Sequence, residues 1–181
     1  DGQVTITGLA NFTGFIDLQG RANDSGATLT VYNQLLKAGS TALASASSAA
    51  SGAYTTAYLG SYQLAVGSAY YFQVDAPLYL PTTEVFVGTA ETDWANGGSL
   101  TVRPLTTLAG VVLLGGDAQN DDDIDIFDGI CIGDDYGSTA STCGGTGASS
   151  DVNGDGRIDI LDLVLMGGNF DLESSPWSQT P

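Results

Sequence analysis

The chain has no histidine and is poor in cysteine and in positive charge. Its 181 residues include two Cys and four Lys or Arg against 21 Asp or Glu, so the formal net charge is −17. Without His, the chain can form neither a Ser-His-Asp nor a Cys-His catalytic arrangement, and two Cys alone do not make a usual zinc site. The excess of negative charge argues against nucleic acid or an anionic membrane as a partner.

Long apolar runs are also missing. The longest stretches, such as residues 111–114, fall far short of the roughly 20 apolar residues that a transmembrane helix requires. Hydrophobic residues still make up 43% of the chain, which is enough for the core of one medium domain or two small ones. The sequence therefore predicts a folded chain with no membrane span.

The acidic residues are distributed unevenly along the chain. Seven of them lie in residues 1–116 and fourteen in residues 117–173. This change of composition indicates a boundary near Gly115 and Gly116. The predicted division is a first domain, a second domain and a C-terminal tail, at residues 1–114, 115–173 and 174–181.

The first region has the pattern of short β-strands separated by turns. In residues 29–32 and 70–74, β-branched and aromatic residues alternate, which suits a sheet packed on one face. The Ala- and Ser-rich residues 40–52 are interpreted as a strand and a turn. We therefore predict an all-β sandwich. Its strands are expected at residues 4–7, 14–18, 27–33, 53–59, 62–66, 70–75, 83–87 and 100–102.

Four segments of this region occur in an order and spacing that resembles a known family. They are Gly26–Tyr32, Ser51–Tyr54, Gly60–Leu64 and Ala76–Thr82. Together they resemble the carboxypeptidase regulatory-like and Cna-B-type β-sandwiches, which are repeated modules of secreted bacterial proteins. The resemblance covers roughly residues 3 to 110 and implies an Ig-like or prealbumin-like sandwich.

Residues 151–162 read DVNGDGRIDILD, which places side-chain oxygens at loop positions 1, 3, 5, 9 and 12. This is the spacing of an EF-hand loop, in which a curled segment surrounds calcium with about six to eight oxygens. Gly156 at position 6 suits the sharp turn of such a loop, and Ile158 at position 8 is expected to face the core. The predicted ligands are Asp151, Asn153, Asp155, Arg157 through its backbone carbonyl, Asp159 and Asp162.

A second copy of this pattern begins 34 residues earlier, at residues 117–128. Position 6 is here Asp122 in place of Gly, and an Asp can adopt the left-handed conformation that this position needs. The repeat predicts a second calcium ion, and so two ions in all. The predicted ligands are Asp117, Gln119, Asp121, Asp123 through its carbonyl, Asp125 and Asp128.

Each loop is followed by a short apolar segment that is predicted to form a helix, at residues 128–136 and 162–170. Two such loop-helix units, with Asp at position 12 and no helix entering the loop, resemble a type I dockerin over about residues 115–171. The resemblance implies a small α-helical module of extracellular bacterial proteins that is folded by calcium and is not catalytic. It implies a cohesin domain as the usual partner.

Members of that family commonly carry small hydroxyl residues at positions 10 and 11, where they touch the partner. The matching residues here are all apolar. They could form an apolar partner-binding face, or they could dock the module onto its own β-sandwich. The four residues are Ile126, Phe127, Ile160 and Leu161.

Two further features concern an extracellular setting. Cys131 and Cys143 lie twelve residues apart, and we predict a disulfide between them. Asn11 and Asn23 each begin an N-x-S/T triplet, which leaves N-glycosylation at these residues open.

Taken with the resemblances, the sequence predicts a secreted, mainly β chain at the cell surface or outside the cell, and it predicts that the chain is not an enzyme. Its expected function is protein-protein association as a calcium-binding assembly module, either with a cohesin-type domain or by self-assembly into a surface fibre. The alternative is a carbohydrate-binding module or an accessory domain of a secreted glycoside hydrolase. Chelation is expected to loosen residues 117–170 and to spare the sandwich.

Overall fold

A computed structural model describes residues 12–32, 42–55, 69–87, 106–107 and 111–175. Over these ranges the fold is mainly β, with eight strands and two short helices, which confirms the predicted class. The strands predicted at residues 4–7, 62–66 and 100–102 lie outside the described ranges. The elements are β1 (Phe12–Leu18), β2 (Thr28–Tyr32), β3 (Ala42–Ser47), β4 (Ala53–Thr55), β5 (Ala69–Ala76), β6 (Tyr79–Val87), β7 (Thr106–Thr107), β8 (Val111–Leu113), α1 (Ile126–Asp134) and α2 (Ile160–Gly168).

The strands form two sheets of four strands each. One sheet has the order β3-β2-β5-β6, and each neighbouring pair is antiparallel. In the other, β1 pairs with β4 in antiparallel and with β7 and β8 in parallel orientation. The Ala- and Ser-rich tract contributes β3, so the predicted strand is confirmed there. Strand β8 was not predicted, because its three residues are all apolar and do not show the apolar-polar alternation that indicates a strand.

Side chains from both sheets join one hydrophobic cluster. In β2 the burial alternates, with Leu29 and Val31 inside, as expected for a strand packed on one face. Residues of β1 and β8, such as Ile16 and Leu113, complete this part of the core. The same cluster continues through Ile124, Ile132, Ile158 and Met166, which belong to the C-terminal loops and helices.

Gly115 and Gly116, where the composition changes, are buried between the sheets and helix α2. A Cβ atom on Gly115 would lie 2.9 Å from side-chain atoms of both Leu165 and Tyr79. A Cβ on Gly116 would lie 2.6 Å from the Cα of Met166, and the φ of Gly116 is +133°. Helix α2 therefore packs directly on this glycine backbone, which no larger residue would permit.

Candidate metal centre

Helices α1 and α2 both begin inside the predicted calcium loops, here named the first loop (residues 117–128) and the second loop (residues 151–162). At position 9 of each loop an Asp caps the helix: Asp125 Oδ1 accepts from the N–H of Phe127, and Asp159 Oδ1 from that of Leu161. Each Asp at position 12 completes a capping box. The helices therefore start two residues earlier than the apolar pattern predicted, because the capping boxes were not recognised in the sequence.

The carboxylate of the Asp at position 12 accepts hydrogen bonds from two separate parts of its loop. Asp128 accepts hydrogen bonds from the N–H groups of Gln119 and Asp125, at positions 3 and 9, at 2.9 and 2.8 Å. Asp162 accepts from the same two positions at 3.1 and 3.0 Å. Both carboxylates are fully buried. The two loops thus share one hydrogen-bond pattern as well as one sequence pattern.

The backbone of the two loops also agrees at the positions where it turns most sharply. Positions 4 and 6 have positive φ in both: 58° and 69° at Asn120 and Asp122, and 68° and 89° at Gly154 and Gly156. Asn, Asp and Gly are the residues that tolerate this conformation best. Asp122 at position 6 therefore takes the left-handed conformation that the sequence pattern required.

Position 1 is where the loops differ. Both carboxylate oxygens of Asp117 accept backbone hydrogen bonds, from Asp121 and Asp122 at 3.0 and 2.9 Å. In Asp151, Oδ2 accepts from Gly156 at 3.0 Å, whereas the buried Oδ1 has no partner among the described residues. A buried carboxylate oxygen without a partner is costly, and a bound cation is one group that would satisfy it.

The other predicted ligands lie along the loops but turn toward the backbone. Asn153 Oδ1 accepts from the N–H of Asp155 at 2.9 Å, and Asp155 Oδ1 accepts from that of Arg157 at 2.8 Å. In the first loop, Asp121 is exposed, while Gln119, Asp123 and Asp125 are half-buried.

No three Asp, Glu, His or Cys side chains in the part of the chain that the structure describes are grouped so that they could hold a metal ion. The carboxylates at positions 1 and 12 of both loops accept hydrogen bonds from backbone N–H groups.

Burial of the charged carboxylates in the two loops is energetically unfavourable unless a positive charge compensates them. Burial, helped by the neighbouring charges of Asp128 and Asp121, raises the pKa of Asp117 to about 6, although two backbone hydrogen bonds lower it. Burial likewise raises the pKa of Asp128 and of Asp162. A cation between these carboxylates would favour their charged forms. The second loop offers oxygen donors, among them the unpartnered Oδ1 of Asp151, and oxygen is the ligand atom that calcium prefers.

The residue at position 8 connects each loop to the segment that follows the helix of the other loop. Ile158 in the second loop exchanges backbone hydrogen bonds of 2.9 and 2.8 Å with residues 137–138, which follow α1. Ile124 in the first loop exchanges bonds of 3.1 and 2.8 Å with residues 171–172, which follow α2. Both isoleucines are fully buried, as predicted for position 8. Neither loop is therefore structurally independent of the other.

The four apolar residues at positions 10 and 11 lie at the surface. Ile126, Phe127, Ile160 and Leu161 are 54–57% exposed, so the structure does not place them against the sheets. One turn further along the helices, Ile130 and Val164 are exposed too. These six residues, here named the apolar helix surface, occupy equivalent positions on α1 and α2.

The remaining predicted residues lie outside the loops. The structure confirms the disulfide between Cys131 and Cys143. Asn23 is exposed, and its Oδ1 accepts from the N–H of Ser25 at 3.0 Å. Asn11 lies outside the described residues.

Sequence reasoning missed several polar residues that fasten the loop-helix region. Asn169 follows α2 and donates hydrogen bonds to the carbonyl of Gly115 and to the side chain of Gln19, at 2.7 and 2.6 Å. The Arg21 Nε donates to the carbonyl of Val152 at 3.2 Å. The contacts of Gln19 and Arg21 join residues more than 90 positions apart, so no local pattern could have revealed them.

Comparison with known proteins gives little further information. No protein-family model and no curated protein matches the chain. A 9R-lipoxygenase from Cyanothece PCC8801 is similar to it in structure, with a TM-score of 0.35 and 14% sequence identity over 64% of this chain. The similarity covers 19% of the lipoxygenase chain. In the described ranges no helix combines the length and the apolar character needed to cross a membrane.

As a correction, the prediction that the chain is not an enzyme is withdrawn: the solved structure reported above is that of an enzyme. The low TM-score and identity do not assign the activity of that enzyme to this chain. The absence of His excludes the mechanisms named above, but it does not exclude every kind of catalysis.

Proposed function

We propose that this chain is an extracellular calcium-binding module that mediates protein-protein association. In this proposal a dockerin-like pair of loops and helices binds two calcium ions and is joined to an Ig-like or prealbumin-like β-sandwich. The observation that carries the proposal is the buried Oδ1 atom of Asp151, which has no hydrogen-bond partner at position 1 of the second loop. It lies where the loop pattern requires a ligand.

The equivalence of the two loops supports a second ion. Both loops have left-handed residues at positions 4 and 6, and in both the Asp at position 12 accepts from positions 3 and 9. The ions would be held by the side chains at positions 1, 3, 5, 9 and 12 and by the carbonyl at position 7. Calcium would supply positive charge to a region with many carboxylates and thereby stabilise its fold.

The apolar helix surface supports the association. Its six large apolar side chains are 50–63% exposed. An exposed group of such side chains is typical of a protein-protein contact. The partner would be a cohesin-type domain or further copies of this chain. Either partner would cover side chains that now face solvent, and burial of that apolar area would favour binding.

Calcium titration by isothermal calorimetry tests the metal sites. We expect two ions per wild-type chain and one ion in Asp151→Ala, which lacks the position 1 ligand of the second loop. The matched control is Asp134→Ala, because Asp134 is an exposed carboxylate of the same region outside the loops. It should bind two ions. Absence of binding by the wild type, or equal binding by Asp151→Ala, would contradict the proposal.

A further inference from the structure

Both loops contact one short turn of the β-sheet region, the turn that joins β5 to β6. Leu78 in this turn and Tyr79, the first residue of β6, are 5% and 1% exposed. Leu78 has a φ of 72°, in the left-handed region that a residue with a large side chain rarely adopts. Such a conformation persists only where the surrounding structure holds it in place.

The first loop binds the backbone of Leu78. The Oδ1 atom of Asn120 accepts a hydrogen bond from the N–H of Leu78 at 2.9 Å, and the carbonyl of Leu78 accepts one from the N–H of Gly116 at 3.2 Å. Asn120 stands at position 4 and is not a predicted ligand. Its own φ of 58° belongs to the sharp turn of the loop, so the conformation of the loop determines where its side chain lies.

The second loop binds the side chain of Tyr79. The carbonyl of Val152, at position 2, lies 3.3 Å from the Tyr79 hydroxyl, which is also 3.1 Å from the carbonyl of Gln19. The same Val152 carbonyl accepts from Arg21 Nε at 3.2 Å, and the Arg21 guanidinium carbon lies 5.1 Å from the centre of the Tyr79 ring. Val152 is fully buried between ligand positions 1 and 3.

We propose that calcium binding at the two loops fixes the turn between β5 and β6, so that calcium controls the stability of this hairpin as well as that of the loops. This inference rests on the proposed function. An ion fixes the backbone between its ligands, and Asn120 and Val152 both lie between predicted ligand positions. Because of these contacts, we now expect chelation to destabilise this hairpin and not to spare the whole β region.

Amide hydrogen exchange on the full chain, in calcium and in excess chelator, tests this coupling. We expect the Leu78 amide to exchange about tenfold faster or more in chelator, and the amides of β6 to follow it. The amides of β3 serve as the internal reference, because β3 pairs with β2 at the opposite side of the sheet from β6. Their exchange should change by less than about twofold.

The variant Asn120→Gly removes the acceptor of the Leu78 hydrogen bond and keeps the backbone conformation. Gly154 occupies position 4 of the second loop with a φ of 68°, so glycine is already compatible with this place. In Asn120→Gly the Leu78 amide should exchange rapidly with and without calcium, while calorimetry still counts two ions. The control Asn23→Gly removes another Asn side chain that accepts a backbone hydrogen bond, from Ser25, and should exchange like the wild type.

The outcomes separate the two proposals. If the wild type binds no calcium in calorimetry, the proposed function fails. If it binds two ions and Leu78 exchanges at the same rate in calcium and in chelator, this inference alone is overturned. Calcium-dependent protection of Leu78 that persists in Asn120→Gly would equally overturn it, because the contact proposed to transmit the effect is then absent.

Discussion

The carboxylate of Asp135 accepts a hydrogen bond from the hydroxyl of Ser150 at 2.5 Å, across the connector between the two loop-helix units. Thr142 donates to the same carboxylate through its backbone N–H and its hydroxyl, at 2.7 and 2.6 Å. Asp135 follows α1, where the helix dipole disfavours a negative charge, so these bonds compensate an unfavourable position. They also hold the connector against the helix.

These hydrogen bonds predict that Asp135→Asn destabilises the protein by about 1–3 kcal/mol, because an amide cannot accept all of them. Chemical denaturation of the calcium-loaded protein measures the free energy of unfolding. Asp134→Asn is the matched control, since its neighbouring carboxylate is exposed, and it should have little effect. Equal stabilities of the two variants would contradict this assignment.

Asp135 should also cause part of the loss of folding stability at acidic pH. Hydrogen bonds from Ser150, and then from Thr142, lower the pKa of Asp135 to about 2. Because this pKa lies below the unfolded value of about 4, the ionised group stabilises the fold above pH 4. That contribution is lost as the pH falls toward 2. Wild type should therefore lose more stability over this interval than Asp135→Asn does.

The junction at Gly116 gives a third prediction. Gly116→Ala should cost about 1–3 kcal/mol, because its Cβ would overlap the backbone of Met166 and because a φ of +133° is unfavourable for Ala. The control Gly133→Ala lies within α1, where an added Cβ meets nothing within 4 Å, and should stabilise by about 0.5–1 kcal/mol. Thermal unfolding compares the variants. Unchanged stability in Gly116→Ala would show that α2 does not pack on this backbone.

The sequence predicted those features that depend on local spacing. The alternation in β2 and β5, the buried Ile at position 8 and the left-handed Asp122 all follow from periods or positions within a few residues. The starts of α1 and α2 were two residues late because their capping boxes coincide with predicted ligand positions.

What the sequence did not reveal depends on contacts between distant segments. The Asn120 side chain meets Leu78, 42 positions away, and Asn169 meets Gln19, 150 positions away. The change in acidic composition predicted a domain boundary at Gly115 and Gly116. Their burial under α2 reflects packing against Leu165 and Met166, which no composition signal records.

The raised pKa of Asp117 gives a fourth prediction. Its pKa of about 6 lies above the unfolded value of about 4, so without calcium its contribution favours folding at low pH and is lost as the pH rises through 6. Calcium has to displace this proton. The affinity of the first loop should therefore fall by up to about tenfold per pH unit below pH 6.

Calorimetry at pH 5, 6 and 7.5 would measure this dependence in the wild type and in Asp117→Asn, which has no proton to displace at this position. The variant should bind calcium more weakly at its first loop and should depend less on pH. The same pH dependence in both proteins would show that another group titrates, and the assignment to Asp117 would then be wrong.

The apolar helix surface gives the last prediction, which concerns association. The double variant Phe127→Ser and Leu161→Ser removes two large apolar side chains that are 57% and 54% exposed, so its folding stability should change by less than about 1 kcal/mol. Its contact with a partner should be lost. The matched control is Phe15→Ser, because Phe15 is 59% exposed but lies on β1.

Sedimentation velocity in calcium and in chelator separates the two partners. If the chain assembles with itself, wild type and Phe15→Ser should form larger species in calcium, and the double variant should stay monomeric. If wild type stays monomeric in calcium, self-assembly is excluded, and the same three proteins are then compared for binding to an immobilised cohesin-type domain. A double variant that associates as the wild type does in both assays would show that the apolar helix surface is not the contact, whichever partner the chain has.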